Sequence, residues 1–313
     1  MAPRRPSLPV LTFKAAPVRV RVPATSANLG PAFDCAGLAL DWFDDMVAQV
    51  SDEPGVYIDM VGEGADTLPR DSKHLIAKSM MAAFERMGEK PVGLSIVTAN
   101  HIPHGRGMGS SSAAIVGGIV MARALVVGGD NLLPDAAALS LASELEGHPD
   151  NVAATLLGGL TLAWGSGADA QAIKITTDPN IAPVVCIPAG SVATKKARGL
   201  LPEFVQHADA SFNAGRSALL TAALTEHPEL LMVATEDKLH QQQRSSAMPK
   251  SYKLVEKLRA AGHAAVISGA GPTVLVLSTG NVAHEVAAIA GEGFETHAVA
   301  VSNQGAHIVA MDA

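Results

Sequence analysis

Residues 103–114 read PHGRGMGSSSAA. Glycines at 105, 107 and 109 alternate with other residues, and three serines then run into alanines. The preceding segment, VGLSIVT at 92–98, reads as a strand, and AAIVGGIVMARALVV after the motif reads as a mostly buried helix. A turn from strand to helix presents unpaired N–H groups and the positive end of the helix dipole, which favour an anion. Glycines let the backbone curl until successive N–H groups converge, and they carry no side chains to block a polyphosphate. Ser110, Ser111 and Ser112 add hydroxyls suited to phosphate or to a magnesium ion. The spacing is not GxxxxGK[ST], because no lysine follows, and not GxGxxG, because the third glycine would fall on Ser110. On spacing alone a plain glycine-rich turn with a serine cap stays open; the triple serine tips the reading toward phosphate.

Working outward, PVRVRV at 17–22 alternates apolar and basic residues as a strand with one wet face, and Pro23 is expected to end it before the loop ATSANLGPAFD. Residues 46–61 read as two strands joined through Glu53-Pro54-Gly55. Apolar residues at helical spacing predict a helix over 73–87, stopped by Gly88, and another from Pro134 to Gly147. A strand is expected at 158–164, and the composition change GSGADA at 165–170 divides the chain into domains 1–170 and 171–313. The second half predicts strands at 171–176, 182–187 and 263–267 and helices at 209–225, 228–243 and 249–261.

At 313 residues the chain is long enough for about two domains. With 48% hydrophobic and 17% charged residues it supports real cores, so disorder is excluded. The net charge of −7 and the lack of basic runs with interleaved aromatics argue against nucleic acid. The apolar run after the motif breaks at Arg123, short of the ~18–20 residues of a membrane span. The start, MAPRRPSLPVLTFK, is a poor signal peptide and reads as a loose extension. Cys35 and Cys186 form no CxxC pair, which suits a reducing cytoplasm.

Three further clusters carry polar chemistry. In ELEGHPDNV (144–152), Glu146 ends its predicted helix, where the dipole disfavours a carboxylate and a divalent cation would offset the cost. Asp150 and Asn151 follow as a polar pair in a turn; a solvated helix end with an Asx turn is the plain alternative, and a zinc site from Glu146, His148 and Asp150 is the weaker one. SANLGPAFD (26–34) offers Asn28 and Asp34 to a small polar ligand, or is simply a turn. ISGAGPT (267–273) is a second glycine-rich turn that could press against the first.

Together these stretches resemble the GHMP small-molecule kinases, through VPATSANLGPAFDCAGLAL (22–40), IPHGRGMGSSSAA (102–114) and ISGAGPT (267–273) in the family's order. EGHPDNVAATLLGG (146–159), TKKARGLLP (194–202) and DKLHQQQR (237–244) resemble the homoserine kinase branch. The resemblance implies an α+β, two-domain fold: an N-terminal domain like ribosomal protein S5 domain 2 and a ferredoxin-like C-terminal domain. It implies ATP held by Pro103, Gly105, Arg106, Gly107, Met108, Gly109, Ser110, Ser111 and Ser112, with Mg²⁺ on Ser111 and Glu146. It implies L-homoserine contacts at Asn28, Asp34, His148, Asn151, Thr194, Arg198 and Arg244, catalytic roles for Asp150 and Asn151, and a cytoplasmic homodimer. Whether Asp150 is a general base, or the hydroxyl steered by Asn151 passes its proton to phosphate, stays open. An arginine pair suits a carboxylate and Asp34 suits an ammonium. Other kinases of the family, acting on mevalonate, a sugar or shikimate, would leave Asp34 without a role. A non-catalytic nucleotide- or amino-acid-binding regulator should have lost part of the loop, the metal carboxylate or the Asp-Asn pair. The chain departs from the family pattern at Ala32 (more often Gly), Met108 (more often Leu) and His74, where relatives carry Asn near the adenine; the metal assignment prefers Glu146 to Glu144.

Overall fold

The computed structural model describes residues 11–311. The strand expected at 17–22 becomes β1 (Val18–Ala27), and it runs straight through Pro23. It pairs antiparallel with β2 (Ala36–Ser51), and the register slips between Pro23 and Ala24. A bulge tolerates the residue that cannot donate to the ladder. The two strands expected in 46–61 exist as the end of β2 and as β3 (Gly55–Gly62), yet they do not pair with each other. Helix α1 (Leu75–Met87) carries the chain back so that β4 (Gly93–Asn100) enters between them, antiparallel to β2 and parallel to β3. Parallel strands need such a crossover, and a helix supplies it.

From β4 the chain passes through the glycine–serine motif into α2 (Ser110–Leu125), a short α3 (Gly129–Leu132), α4 (Asp135–Glu146) and α5 (Asp150–Leu157). The hairpin β5 (Leu160–Trp164) and β6 (Gln171–Ile175) then joins the same sheet alongside the first residues of β2. Asp150 and Asn151 are therefore not in a free turn but in the first turn of α5. Helix α2 is buried nearly all round, against α1, α4, α5 and β1, as its almost unbroken apolar sequence requires. Residues 1–10 of the expected loose extension lie outside the described residues. From Leu11 on, the chain is tied down: Phe13 bridges to Val126 and meets Phe84 edge-on, with centroids 5.6 Å apart.

The second half contains β7 (Val184–Pro188), α6 (Thr194–Arg198), α7 (His207–Thr225), α8 (Leu231–Ala234), α9 (Pro249–Ala260), β8 (Ala264–Ile267), β9 (Val274–Leu277), α10 (Ala283–Ala290) and β10 (Phe294–Ala298). Its antiparallel sheet has the order β10-β7-β9-β8, the 4-1-3-2 arrangement of a ferredoxin-like βαββαβ unit. Both faces of this sheet are covered. Val185, Ile187, Val266 and Leu275 point into the large core shared with the first half, while Val184, Cys186, Ile267 and Val274 point under α9 and α10. The last strand, β11 (His307–Val309), returns to pair with β1. A cut between residues 170 and 171 would sever the β5–β6 hairpin. We propose instead a division by sheet, with the crossing between β6 and β7 and the C-terminal strand returned to the first unit.

The helix expected over 228–243 is broken. A 3-10 turn (Pro228–Leu230) and α8 end by Ala234, and the Asp237 carboxylate then accepts from the N–H groups of Leu239, His240 and Gln241. A short acidic side chain that captures backbone donors competes with helix continuation. The resulting turn carries Arg244.

Candidate active site

The glycine–serine motif, the 26–34 loop, the 146–151 segment and the ISGAGPT turn meet in one cleft between the two sheets. Gly105, Gly107 and Gly109 all adopt positive φ (64°, 79° and 74°). Gly109 caps α2 without any side-chain hydrogen bond, so the first N–H groups of the helix stay open to the cleft. Two of these glycines are bare for a second reason, which spacing did not reveal. A Cβ on Gly109 would stand 2.0 Å from Thr25 Oγ1, and one on Gly107 would stand 2.4 Å from Ser268 O. The two glycine turns do press together: Ser268 Oγ donates to Gly107 O (2.5 Å), and the Thr273 N–H donates to Arg106 O (3.1 Å).

The base of the motif is pinned by a residue the sequence did not single out. Asp44, 2% exposed on β2, accepts through Oδ1 from the N–H groups of His101 (2.6 Å) and Ile102 (2.8 Å). Burial pushes its carboxyl up to about 6, against the opposing pull of those two hydrogen bonds.

Glu146 ends α4, with Gly147 in the left-handed conformation after it, and its side chain faces the start of α2. Its Oε1 accepts from Ser111 Oγ (2.6 Å) and Ser112 Oγ (3.1 Å). This is a hard-oxygen donor set beside the open helix terminus, the kind Mg²⁺ takes together with substrate phosphates. Among the described residues, no group of three or more His, Cys, Asp and Glu is placed to hold a metal ion.

Beyond Glu146, Asp150 is buried and accepts through Oδ1 from its neighbour Asn151 N–H (2.8 Å), and meets His148 Nδ1 at 2.6 Å. Burial opposes charge on His148, but the hydrogen bond and charge of Asp150, with Glu146 nearby, outweigh it and raise the imidazole above its ordinary value. Asp150 Oδ2 has no hydrogen-bond partner among the described residues. Asn151 Oδ1 accepts from Thr25 Oγ1 (2.9 Å), which aims its amide nitrogen away from β1.

At the far end of the cleft, Asp34 and Arg198 form a fork with two bonds of 2.6 and 2.8 Å. The hydrogen bonds to Asp34 hold the Arg198 guanidinium above its ordinary value, against the opposing effect of burial. Arg244 is 2% exposed, its Nε lacks a partner, and no carboxylate lies within ion-pair distance among the described residues. Burial, then the Arg198 charge, pull it below the usual guanidinium range. Thr194 stands at the rim as the first residue of α6.

Two family models match the chain, "GHMP kinases N terminal domain" over residues 74–159 and "GHMP kinases C terminal" over 212–296. The homoserine kinase of Streptomyces avermitilis is 58% identical over 301 residues, which cover 96% of this chain and 98% of that one. The homoserine kinase of Streptomyces coelicolor is 56% identical, covering 96% of each. This chain belongs to the GHMP kinase family. A crystal structure of homoserine kinase from Cytophaga hutchinsonii superposes with a TM-score of 0.82 at 27% identity, over 96% of this chain and all of that one.

This GHMP kinase has the two-domain α+β fold the motifs implied, and membership of a kinase family makes ATP its phosphoryl donor. Most of the residues singled out in the sequence line the cleft: Gly105, Gly107, Gly109, Ser110 and Ser111 on one side, and Asn28, Asp34, Glu146, His148, Asp150, Asn151, Thr194, Arg198 and Arg244 on the others. Four loop residues do not. The Pro103 and Met108 side chains are buried, Met108 in the core. Arg106 points out toward Glu63 at 4.0 Å, and Ser112 is buried beneath Glu146. Asn28 lines the cleft with its amide already committed, accepting from Asp34 N–H (2.9 Å) and donating to Gly269 O (3.0 Å). Asn28, Leu29 and Asp34 all hold positive φ, a strained bend for non-glycine residues that these bonds maintain. His74 is not in the cleft; it is buried at the start of α1, where its Nδ1 accepts from Ile76 N–H. Asp44 was missed, and Thr25 and Ser268 were not singled out within their quoted motifs, because their roles are contacts with segments 57, 83 and 161 residues away.

Proposed function

We infer that this GHMP kinase is a homoserine kinase, transferring the γ-phosphoryl group of ATP to the hydroxyl of L-homoserine to give O-phospho-L-homoserine and ADP. The observation that carries this reading is the meeting, in one cleft, of an uncapped helix N-terminus with Arg244 and the Asp34–Arg198 fork. The helix end seats phosphates. The far end offers both signs of charge, which an amino-acid zwitterion uses and which a sugar, mevalonate or shikimate, lacking an ammonium, does not.

The α-carboxylate goes to Arg244 and Arg198, and the ammonium goes to Asp34. Asp34 and Arg198 are one another's partners in the structure, so the zwitterion exchanges an internal fork for two ligand contacts. Thr194 closes the rim, and Asn28 acts by holding the loop that aims Asp34. The amide nitrogen of Asn151 steers the substrate hydroxyl. Asp150 Oδ2 takes its proton as the oxygen bonds to the γ-phosphorus and the bond to ADP breaks. His148 holds the other Asp150 oxygen. Ser111 and Glu146 would hold Mg²⁺, which when bound neutralises phosphate charge. The main-chain N–H groups of the 105–111 loop hold the phosphates in line.

No helix among the described residues is long and apolar enough to cross a membrane. We place the enzyme in the cytoplasm, as a homodimer, on the route to threonine. The deciding experiment is ADP release from purified protein with Mg·ATP and, separately, L-homoserine, mevalonate, shikimate or galactose. Release with homoserine alone is expected. Release with another alcohol would keep the phosphate loop and discard the zwitterion contacts, and ATP binding without release on any would overturn the kinase reading.

A further inference from the structure

The mechanism above leaves Phe33 unused, although it sits between Ala32 and Asp34 in the strained loop. Its ring meets three nitrogenous groups. The Arg244 guanidinium carbon lies 4.9 Å from the ring centroid, that of Arg198 lies 5.5 Å away, and the His240 ring is tilted against it at 5.1 Å. Both guanidiniums are within the ~6 Å over which a cation is drawn to an aromatic face.

The arrangement answers a specific problem. Two guanidiniums of like charge converge here, and Arg244 is almost fully buried without a carboxylate to neutralise it. A buried unpaired cation is costly. A carboxylate partner would lower that cost but would occupy the N–H groups an incoming anion needs. An aromatic ring offsets part of the cost without accepting a hydrogen bond, so the guanidinium N–H donors stay free. His240 packs against the ring and has its Nε2 2.7 Å from Gly30 O, which ties the ring to the loop that carries Asp34.

We propose that Phe33 is a positioning residue for substrate recognition: its π-face holds Arg198 and Arg244 together and leaves Arg244 unneutralised, so that the pair accepts the α-carboxylate of the amino-acid substrate. This rests on the homoserine kinase reading and extends it to a residue that touches the guanidiniums and acts through them.

The test is a series at position 33 in the full-length enzyme: Phe33→Leu, Phe33→Tyr, and replacement by mono-, di- and trifluorinated phenylalanine, which drain the π-face with little change of shape. Steady-state rates give KM for homoserine, KM for ATP and kcat. Phe33→Leu is expected to raise the homoserine KM about tenfold, within the range of a desolvated cation–π contact. The ATP KM stays within about twofold and kcat within about threefold of wild type, while Phe33→Tyr remains close to wild type in every constant. The homoserine KM climbs stepwise with fluorine number. A flat fluorine series overturns the proposal, since a purely space-filling ring would give that result. So does a Phe33→Leu enzyme in which both KM values rise together. If Phe33→Leu does not fold, the near-isosteric fluorine series decides alone. Wild-type enzyme that does not phosphorylate homoserine sinks the underlying reading and this inference with it, whereas an active wild type with a flat series sinks the inference only.

Discussion

Replacing Arg198 by alanine removes one half of the fork with Asp34. Its two bonds, 2.8 and 2.6 Å, are the short, charge-assisted, bidentate kind. Truncating one partner of a buried charged pair costs roughly 2–5 kcal/mol, much of it from the charge left behind. Here both side chains are about one-third exposed, at 34% and 33%, so water hydrates the survivor and the lower end applies. In homoserine binding Arg198 pairs instead with the α-carboxylate, a contact of the same charged kind at the same partly exposed site. Losing about 2 kcal/mol there corresponds to at most roughly a 30-fold rise in Kd, since the variant no longer has to break the fork. For the same reason the fold loses less than about 1 kcal/mol, as exposed pairs do. Arg198→Lys should recover only part of the affinity, because an ammonium cannot make two parallel bonds to the substrate carboxylate. Calorimetric titration of homoserine and of a non-hydrolysable ATP analogue, with denaturant unfolding of each variant, checks all three points. Equal weakening of both ligands, or a lysine variant as good as wild type, would refute the substrate-specific fork.

Three further outcomes are expected. Asp150→Asn should lower kcat by about 10²–10⁴ with ATP affinity intact, as for loss of a general base; single-turnover rates within tenfold of wild type would assign the proton to the phosphate instead. Glu146→Gln should raise the Mg²⁺ concentration needed for half-maximal rate by tenfold or more, on the order of one lost charge-assisted contact, and an unchanged metal titration would remove Glu146 from the metal site. Asp44 binds its proton more tightly folded than unfolded, so its contribution to stability is present at low pH and is lost as pH rises from 3.8 to about 6. The shift sets an upper limit of about 3 kcal/mol. Asp44→Asn should therefore gain on wild type as pH rises from 5.0 to 7.5 in urea unfolding, and a gap independent of pH would show that the buried carboxylate is not the cause.

The sequence by itself determined the elements whose information is local. Apolar spacing with a glycine stop located α1, and the glycine–serine motif marked the strand-to-helix turn that leads into α2. The position of Glu146 at a helix C-terminus was legible because a helix end is a one-dimensional feature. What followed from the order of three glycine-rich motifs was their family, and with it the expectation that distant polar residues share a site. The tertiary structure alone decided how those residues spend their hydrogen bonds. Asp34 and Arg198, 164 residues apart, bind each other; the Asn28 amide is consumed in holding its loop; Asp237 breaks a helix that residue spacing favoured, and so delivers Arg244. It also decided that Pro23 is tolerated inside a strand and that β4 slides between β2 and β3. The physical reason is common to all of these. Propensity and periodicity act over a few residues, whereas a carboxylate, an amide or a strand edge is satisfied by whichever partner the packed core brings within about 3 Å, and chain distance does not enter that selection.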